Sequence, residues 1–196
     1  MAEAVGIAAP AAVSIELSNG RSVFGSRRIA GVADAIVTEA FLTTPTASNV
    51  NPPIFGLSGL LSKIYALDMF LFNDDRHLGN YLSVDDQGVR RLYTYDFSRA
   101  LFWTWPWNGF PLPQCNTRKF GGVLRSLHGF DHTAAFSVLD GLNSLEPVML
   151  QMFIKQMPSD WANAQICNQF VEMWANGTAA LRVDELRKGF GDGTLL

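Results

Sequence analysis

Charged residues and cysteines are both scarce in this sequence. Lysine, arginine, aspartate and glutamate make up only 17% of the chain, and the formal net charge is −3 at pH 7. This balance provides neither the basic footprint of a nucleic-acid-binding protein nor a polybasic patch for a membrane surface. The two cysteines, Cys115 and Cys167, form no CxxC motif, and no His/Cys cluster has the spacing of zinc ligands. We therefore expect reduced thiols in a cytoplasmic protein that binds neither a membrane nor, by itself, nucleic acid.

A secretory leader and a long apolar run are also missing. The opening segment, MAEAVGIAAPAAV, is small and apolar but has no basic region at its start, so we expect no signal peptide. The long uncharged run at 40–62 contains three prolines and several Thr, Ser and Asn residues, which makes it too polar for a transmembrane helix. With 48% hydrophobic residues among 196, the chain can build one domain with a sizeable core.

The first quarter of the chain, residues 1–50, is weakly patterned. Apolar and polar residues alternate on both sides of the turn SNGR, which predicts a strand, a turn and a strand within 13–26. The segment 33–42 predicts a short helix, and 43–53, rich in Thr, Ser, Asn and Pro, predicts a loop. We expect this loop to join a small N-terminal portion to the main body, residues 51–196.

The main body has a clearer pattern. Apolar residues recur at helical spacing in SGLLSKIYALDMFLF, which predicts a buried helix over 58–72. The run YLSV, the turn DDQG and the run VRRLYTYDF then predict a β-hairpin. An aromatic, proline-rich loop follows at 101–113, and the sequence from 122 onward favours helices bounded by Pro158 and by Asn176–Gly177. The pattern predicts an α+β fold that is mainly α.

Three polar residues flank the predicted hairpin. Asp75 and Asn80 lie five residues apart before it, and Asp96 lies just after it, followed by Phe97. Phosphoryl transfer needs a carboxylate that accepts or orients the proton of the attacking hydroxyl, and it needs oxygen ligands for Mg²⁺. Protein kinases arrange a catalytic Asp, an Asn five residues later, and a metal-binding Asp followed by Phe in this order. The joint spacing favours a phosphoryl-transfer site over a surface Asp, a turn Asn and a strand-end Asp that are unrelated.

The motifs DRHLGN and YDFSRAL resemble the catalytic and metal-binding loops of atypical kinases. Phosphoinositide kinases have DRHxxN followed by IDFG, and the HipA-like bacterial kinases have D-x-H-x-x-N followed by an Asp-containing metal motif. The overall likeness is greatest to the HipA-like kinases. Residues 3–31 resemble the segment that leads through their hinge strands to the C-lobe, and QMPSDW at 156–161 resembles part of their C-terminal helical region. The resemblance implies a protein-kinase-like C-lobe over 51–196, with a small, incomplete N-terminal β portion and hinge over 1–50.

Carried over position by position, the resemblance implies a catalytic and a metal-binding set: Asp75 as the catalytic residue, and Asn80 and Asp96 as metal ligands. It also implies Mg²⁺ and ATP as cofactors and a protein substrate. Asp74 is the local rival to Asp75, but it lies six residues from Asn80, one more than the motif has. His77 would hold the loop by packing or hydrogen bonding, and Arg76 could orient a carboxylate or a phosphate.

Two further groups of side chains have alternative interpretations. His128 and His132 could form a metal pair on a helix, but Gly129 and the lack of a third ligand favour surface histidines. The alternating series Trp103, Trp105 and Trp107 could stack on a base or a peptide. A buried plug in the segment after the metal loop is the favoured interpretation.

The phosphate-binding part of a kinase is missing from the sequence. Neither GxGxxG nor GxxxxGK[ST] occurs, and Gly20 and Gly25 in NGRSVFGS match neither loop. The resemblance places the lysine-bearing strand before residue 1 and leaves Glu3 as a candidate for the acid that pairs with this lysine. A partner chain that supplies the missing lobe, a loss of catalysis, and a fragment of a longer protein are all compatible with this pattern. We expect residues 1–196 alone to bind Mg·ATP weakly, and tighter binding would indicate an arginine in place of the lysine: Arg21, Arg27 or Arg28.

Two functions follow from these observations. The first is a HipA-like kinase, or its catalytic C-lobe, that transfers the γ-phosphate of ATP to a Ser or Thr hydroxyl of a protein. The alternative is a catalytically inactive, kinase-derived binding or regulatory module. Under the first, the side-chain oxygens of Asp75, Asn80 and Asp96 should lie within about 8 Å of one another, because they share one or two metal ions.

Overall fold

The computed structural model describes residues 1–45, 56–158 and 163–196. Within these ranges the chain is a mixed, mainly helical α and β structure, as the sequence predicts. The domain boundary expected at 50/51, most of the loop predicted at 43–53 and part of the 156–161 segment lie outside the described residues.

Two short antiparallel sheets and seven α-helices are present in the described ranges. The strands are β1 (Ala12–Glu16), β2 (Ser22–Ser26), β3 (Tyr81–Asp86) and β4 (Val89–Thr94). The helices are α1 (Ala35–Thr43), α2 (Leu57–Phe70), α3 (Asn116–His128), α4 (His132–Asn143), α5 (Pro147–Lys155), α6 (Ala164–Ala175) and α7 (Thr178–Gly191). The predicted boundary at Asn176–Gly177 is confirmed, since α6 ends and α7 begins on either side of it. Among the described residues, no helix has the length and apolar character needed to cross a membrane.

Helix α2 is the centre of the core. The residues from Ile64 to Leu71 are all buried, and the helix packs against α4, α3 and α7. A helix that buries every side must be apolar nearly all round, and this explains the dense Leu, Ile, Met and Phe content of the segment. The helix predicted over 58–72 is therefore confirmed, and it ends where Phe72 takes a left-handed backbone with φ 55°.

The second hairpin, formed by β3 and β4, follows the loop after α2. Its two-residue turn, Gln87–Gly88, has positive φ at both positions (54° and 81°), the conformation whose twist matches that of the flanking strands. The two strands bury one face and leave the other partly open, with these side chains on the buried face: Tyr81, Ser83, Leu92 and Thr94. The predicted hairpin is confirmed.

The first hairpin, β1–β2, is the strand–turn–strand that the sequence predicts, but it contributes little to the core. Ile15 is 47% exposed, and the segments on either side of the hairpin hold it to the rest of the protein. Before it, the Ala8 carbonyl accepts a hydrogen bond from the Thr94 amide of β4, and after it, Val32 forms an isolated bridge with Val84 of β3. The two connecting segments therefore lie along the two edges of the second hairpin.

The prediction of a surface histidine at 128 is wrong. His128 is the last residue of α3 and is 8% exposed, and its Nε2 lies 2.6 Å from the Leu42 carbonyl oxygen of α1. This contact across 86 residues has no local signal in the sequence. His132, in the next helix, is exposed as predicted, so the two histidines do not share a helix.

The tryptophan series divides into two half-buried members and one exposed member. Trp105 and Trp107 are half-buried and pack edge to face against Phe170 of α6, so the predicted plug is confirmed in part, by these two residues. Trp103 is 61% exposed and lies over the Arg99 guanidinium at 4.6 Å, so the prediction is wrong for this residue. The aromatic contacts fix the segment after Asp96 against the helical body.

Candidate active site

The loop between α2 and β3 is anchored by a buried ion pair. The Arg76 Nε and Nη2 atoms donate to the two carboxylate oxygens of Asp68 at 2.8 and 2.9 Å, and the two side chains are 3% and 0% exposed. Asn73 Nδ2 also donates to Asp68, at 2.7 Å. Burial acts to lower the pKa of Arg76, but the attraction and hydrogen bonds of Asp68 outweigh it and leave this pKa raised. The guanidinium is therefore charged, fixed and closed to solvent.

Arg76 also joins the two loops of the candidate site. Its Nη1 donates to the carbonyl oxygens of Asn80 and Tyr95, the residues that end one loop and begin the other. The guanidinium stacks on the ring of Phe97 with its carbon 4.5 Å from the ring centre. Of the two roles that the sequence allows for Arg76, orienting a carboxylate is confirmed, and the carboxylate is Asp68.

Asn80 contacts Asp96 directly. The Asn80 Nδ2 atom donates to Asp96 Oδ2 at 3.4 Å, and its Oδ1 accepts from the His77 backbone amide at 3.0 Å. His77 Nδ1 in turn accepts from the Gly79 amide at 3.1 Å, and this closes a short 3-10 turn at Leu78–Asn80. The predicted structural role of His77 is confirmed. Two of the three predicted site residues, Asn80 and Asp96, are brought together.

Asp96 is an exposed carboxylate on a strained backbone. Its φ of 56° lies in the left-handed region, which a non-glycine residue adopts rarely. Its Oδ1 accepts from the Ser98 hydroxyl at 2.6 Å and from the Ser98 amide at 3.2 Å. These hydrogen bonds, helped by Arg76 and His77, lower the pKa of Asp96 against the opposing effect of burial. The group is therefore a full negative charge at neutral pH.

Asp75 is held from the opposite side of the loop. Its Oδ1 accepts from Asn116 Nδ2 at 2.6 Å, and Asn116 begins α3, 41 residues further along the chain. The next residue, Thr117, accepts from the Arg76 amide at 2.9 Å and donates to the Asn73 carbonyl at 2.6 Å. Two successive residues of α3 therefore fix the backbone and one carboxylate oxygen of the candidate catalytic residue.

Asp75 is not joined directly to the Asn80–Asp96 pair. In the hydrogen bonds of the described residues its carboxylate uses Oδ1 for Asn116 and leaves Oδ2 without a protein donor. Its rival Asp74 contributes a backbone carbonyl to the Thr117 amide. The expected approach of Asp75 to within about 8 Å of both other groups stays a prediction.

The donor set suits a hard cation that keeps several waters. Within the described residues, no group of three or more His, Cys, Asp and Glu side chains could hold a metal ion. Asp96 and Asn80 nevertheless supply a carboxylate and an amide oxygen, the kinds of ligand that Mg²⁺ takes with water completing its shell. The side-chain oxygen of Asn80, Oδ1, accepts one hydrogen bond, from the His77 amide. Its second lone pair is open to a cation.

Sequence reasoning missed the residues that support the site. Asp68 had a signal, because it is an acidic residue in the middle of the apolar run of α2, and a buried charge requires a partner. No signal in the sequence pointed to Asn116 and Thr117, because they follow a loop of aromatic and proline residues far from the motif.

No protein-family model matches this chain, and no curated protein matches it. The resemblance to HipA-like kinases therefore depends on the residues of the 73–101 stretch and on their arrangement.

Proposed function

We propose that this chain is the catalytic C-lobe of a HipA-like kinase that transfers the γ-phosphate of ATP to a Ser or Thr hydroxyl of a protein in the cytoplasm. The contact between Asn80 and Asp96 carries the proposal. It joins two groups separated by a hairpin, on a loop that Asp75 begins and a buried helix supports. The chain order of the three residues is the one that a kinase C-lobe has, and the contact of Asn80 with Asp96 supports the grouping of the two metal ligands.

The three residues have separate roles in this proposal. Asp96 and Asn80 would hold Mg²⁺, which supplies positive charge against the phosphates of ATP. The free Oδ2 of Asp75 accepts the hydrogen bond of the substrate hydroxyl and takes up its proton as the phosphoryl group leaves ATP. The bond from Asn116 keeps Oδ1 occupied and so fixes the direction of Oδ2. Asn116 is in this sense a positioning residue.

The segment from Phe97 to Cys115 is tied to the site at both ends. It begins next to Asp96 and ends next to Asn116, and Trp105 and Trp107 pack its middle onto α6. A change in the packing of this segment would move both carboxylates of the site. We infer that the protein substrate docks beside this segment, where it can bring a hydroxyl to Asp75.

A second polypeptide completes the nucleotide site in this proposal. Neither glycine-rich motif occurs in the chain, and the first hairpin has only two strands. An isolated two-stranded hairpin is marginally stable in water, so the exposed Ile15 and Leu17 suit further strands from a partner chain. The partner would contribute the cover over the phosphates.

The alternative, an inactive kinase-derived binding module, also has an observation in its favour. Both carboxylate oxygens of Asp96 already accept hydrogen bonds, from Ser98 and Asn80, and Asp75 is bonded to Asn116. A site in which neighbouring donors already form hydrogen bonds to the carboxylates can persist without a metal ion. Mg²⁺-dependent nucleotide binding without transfer, in the presence of the completing lobe, would support this alternative.

Nucleotide binding with and without Mg²⁺ tests the proposal. We expect Asp96→Ala to abolish the Mg²⁺-dependent part of binding, because it removes a charged ligand. Asp75→Ala should retain nucleotide binding and lose transfer, because its role arises mainly in the transition state. Asp86→Ala is the matched control, since this carboxylate pairs with Arg91 at the exposed hairpin tip. Equal loss of nucleotide affinity in the Asp75 and Asp96 variants, or binding that ignores Mg²⁺, would contradict the proposal.

A further inference from the structure

A groove of about 320 Å³ lies on the open face of the second hairpin. Its walls come from the two connecting segments that flank the first hairpin, and its lining residues are Pro10, Ser26, Arg27, Arg28, Ile29, Gly31, Val32 and Leu82. Ligand pockets for small molecules begin at about 300 Å³, so the groove is large enough for part of a nucleotide.

The lining of this groove combines positive charge with apolar surface. Arg27 and Arg28 are its charged residues, and no acidic residue lines it. Within the described ranges neither arginine side chain forms an ion pair or a hydrogen bond, and both are exposed. In a protein with net charge −3, two arginines without acidic partners beside an apolar floor favour an anionic ligand that carries a flat apolar ring.

The groove adjoins the candidate active site along β3. Leu82 lies in β3, two residues after Asn80, which ends the 3-10 turn before this strand. Two residues of extended chain span at most about 7 Å, at ~3.3–3.6 Å per residue, so the backbone of Leu82 lies within about this distance of the backbone of Asn80. One nucleotide can cover this distance and reach both the groove and the Asn80–Asp96 pair.

We propose that Arg27 and Arg28 bind the phosphate chain of a nucleoside polyphosphate in this groove, in the role that a strand lysine has in the kinases that the chain resembles. The inference rests on the proposed phosphotransferase function, and it adds the residues that recognise the nucleotide. Arginine suits the role because its planar fork can donate two hydrogen bonds to one phosphate. The apolar floor at Leu82 and Ile29 takes the base.

Arg21 provides a matched control for these two residues. The sequence offers Arg21 as a third replacement for the lysine, but Arg21 is exposed between the two strands of the first hairpin and does not line the groove. The groove geometry therefore removes it from the candidates for the phosphate contact. Binding of Mg·ATP is measured by two-dimensional NMR on the full chain, which reports millimolar dissociation constants and locates the site through the amide signals of Gly31 and Leu82. Inorganic triphosphate and adenosine are titrated separately, so that contacts to phosphate and to base are distinguished.

We expect Mg·ATP and triphosphate to shift the groove signals of the wild-type chain. The double variant Arg27→Ala/Arg28→Ala should bind Mg·ATP about tenfold or more weakly, as the loss of charge-assisted contacts predicts. The two single variants assign the contact, and Arg21→Ala should stay within about twofold of the wild type. Adenosine binding should be the same in all variants.

The remaining outcomes contradict either the groove inference or the proposed phosphotransferase function. An unchanged dissociation constant in the double variant, or no binding by the wild type, overturns the groove inference and leaves Asp75, Asn80 and Asp96 to be tested as described above. Groove binding by adenosine but not by triphosphate overturns it as well. A third outcome is that the arginine variants weaken ATP binding, while removal of Mg²⁺ and the Asp96→Ala substitution leave the dissociation constant unchanged. The groove then binds anions, and the phosphotransferase proposal fails instead.

Discussion

Replacing Arg76 with alanine removes the cation on which both the core and the candidate site depend. Arg76→Ala leaves the carboxylate of Asp68, which is 0% exposed, with Asn73 as its remaining side-chain donor. Breaking a buried ion pair by deleting one partner costs about 3–5 kcal/mol. Since domains of this kind are stable by only about 5–15 kcal/mol, the variant should lose a large fraction of its free energy of unfolding.

Urea denaturation followed by circular dichroism measures this loss. The midpoint should fall while the slope with denaturant stays the same, because the surface exposed on unfolding hardly changes. Arg91→Ala serves as the control, since Arg91 pairs with Asp86 at 2.9 Å but both side chains are exposed (62% and 45%). Removing such a surface pair should cost no more than about 1 kcal/mol.

The double variant Asp68→Leu/Arg76→Met keeps the test decisive if Arg76→Ala does not fold. Replacing both partners by apolar side chains of similar volume removes the unpaired buried charge, so the double variant should be more stable than Arg76→Ala. A cost of less than about 1 kcal/mol for Arg76→Ala, or a double variant that is no more stable than the single one, would refute the reasoning.

Two further predictions concern the hydrogen bonds of the candidate site. Asn116→Ala frees the Asp75 carboxylate to rotate, so kcat for phosphotransfer should fall about 10- to 100-fold while KM for ATP stays unchanged; a matching rise in KM would contradict a positioning role. Ser98→Ala removes the hydroxyl donor, the largest cause of the lowered pKa of Asp96, and keeps the backbone amide donor, so NMR titration of this carboxyl should show a higher pKa than in the wild type. Because the folded-state pKa is lowered, the stability from these bonds is present above pH ~4 and is lost as the pH falls through the lowered pKa. An unchanged titration of Asp96 in the variant would rule out Ser98 as the cause.

The parts of the fold that the sequence predicts are those in which local pattern and burial agree. Helix α2 is apolar on every side because it is buried on every side, and so its extent could be read to within two residues. The second hairpin has an Asp-Gln-Gly turn that supplies the positive φ of Gly88, between strands that alternate buried and open residues. In α2 and in the second hairpin, the spacing of apolar residues indicates the type of secondary structure and also which side chains are buried.

The errors occur where a distant part of the chain decides the environment. His128 looks like a surface residue in its own helix, but the Leu42 carbonyl of α1 covers it. Trp103 belongs to the same alternating series as Trp105 and Trp107, which are half-buried, yet it faces solvent over Arg99. The His128 contact has no local cause, and the two other tryptophans differ from Trp103 because they pack on Phe170 of the distant α6. The alternating pattern alone could not have separated them.

The sequence also does not show how exposed each acidic residue near the site is. The sequence presents Asp68, Asp75 and Asp96 as three equivalent carboxylates within one stretch. The structure separates them by exposure: the first is fully buried and neutralised by Arg76, the second is half-buried with one oxygen free, and the third is exposed and ionised. A buried, paired carboxylate holds the backbone and cannot meet a ligand, whereas an exposed ionised one can bind a cation. Of these three carboxylates, only Asp75 and Asp96 can therefore meet a ligand, and the buried pair keeps the two loops that carry them in place.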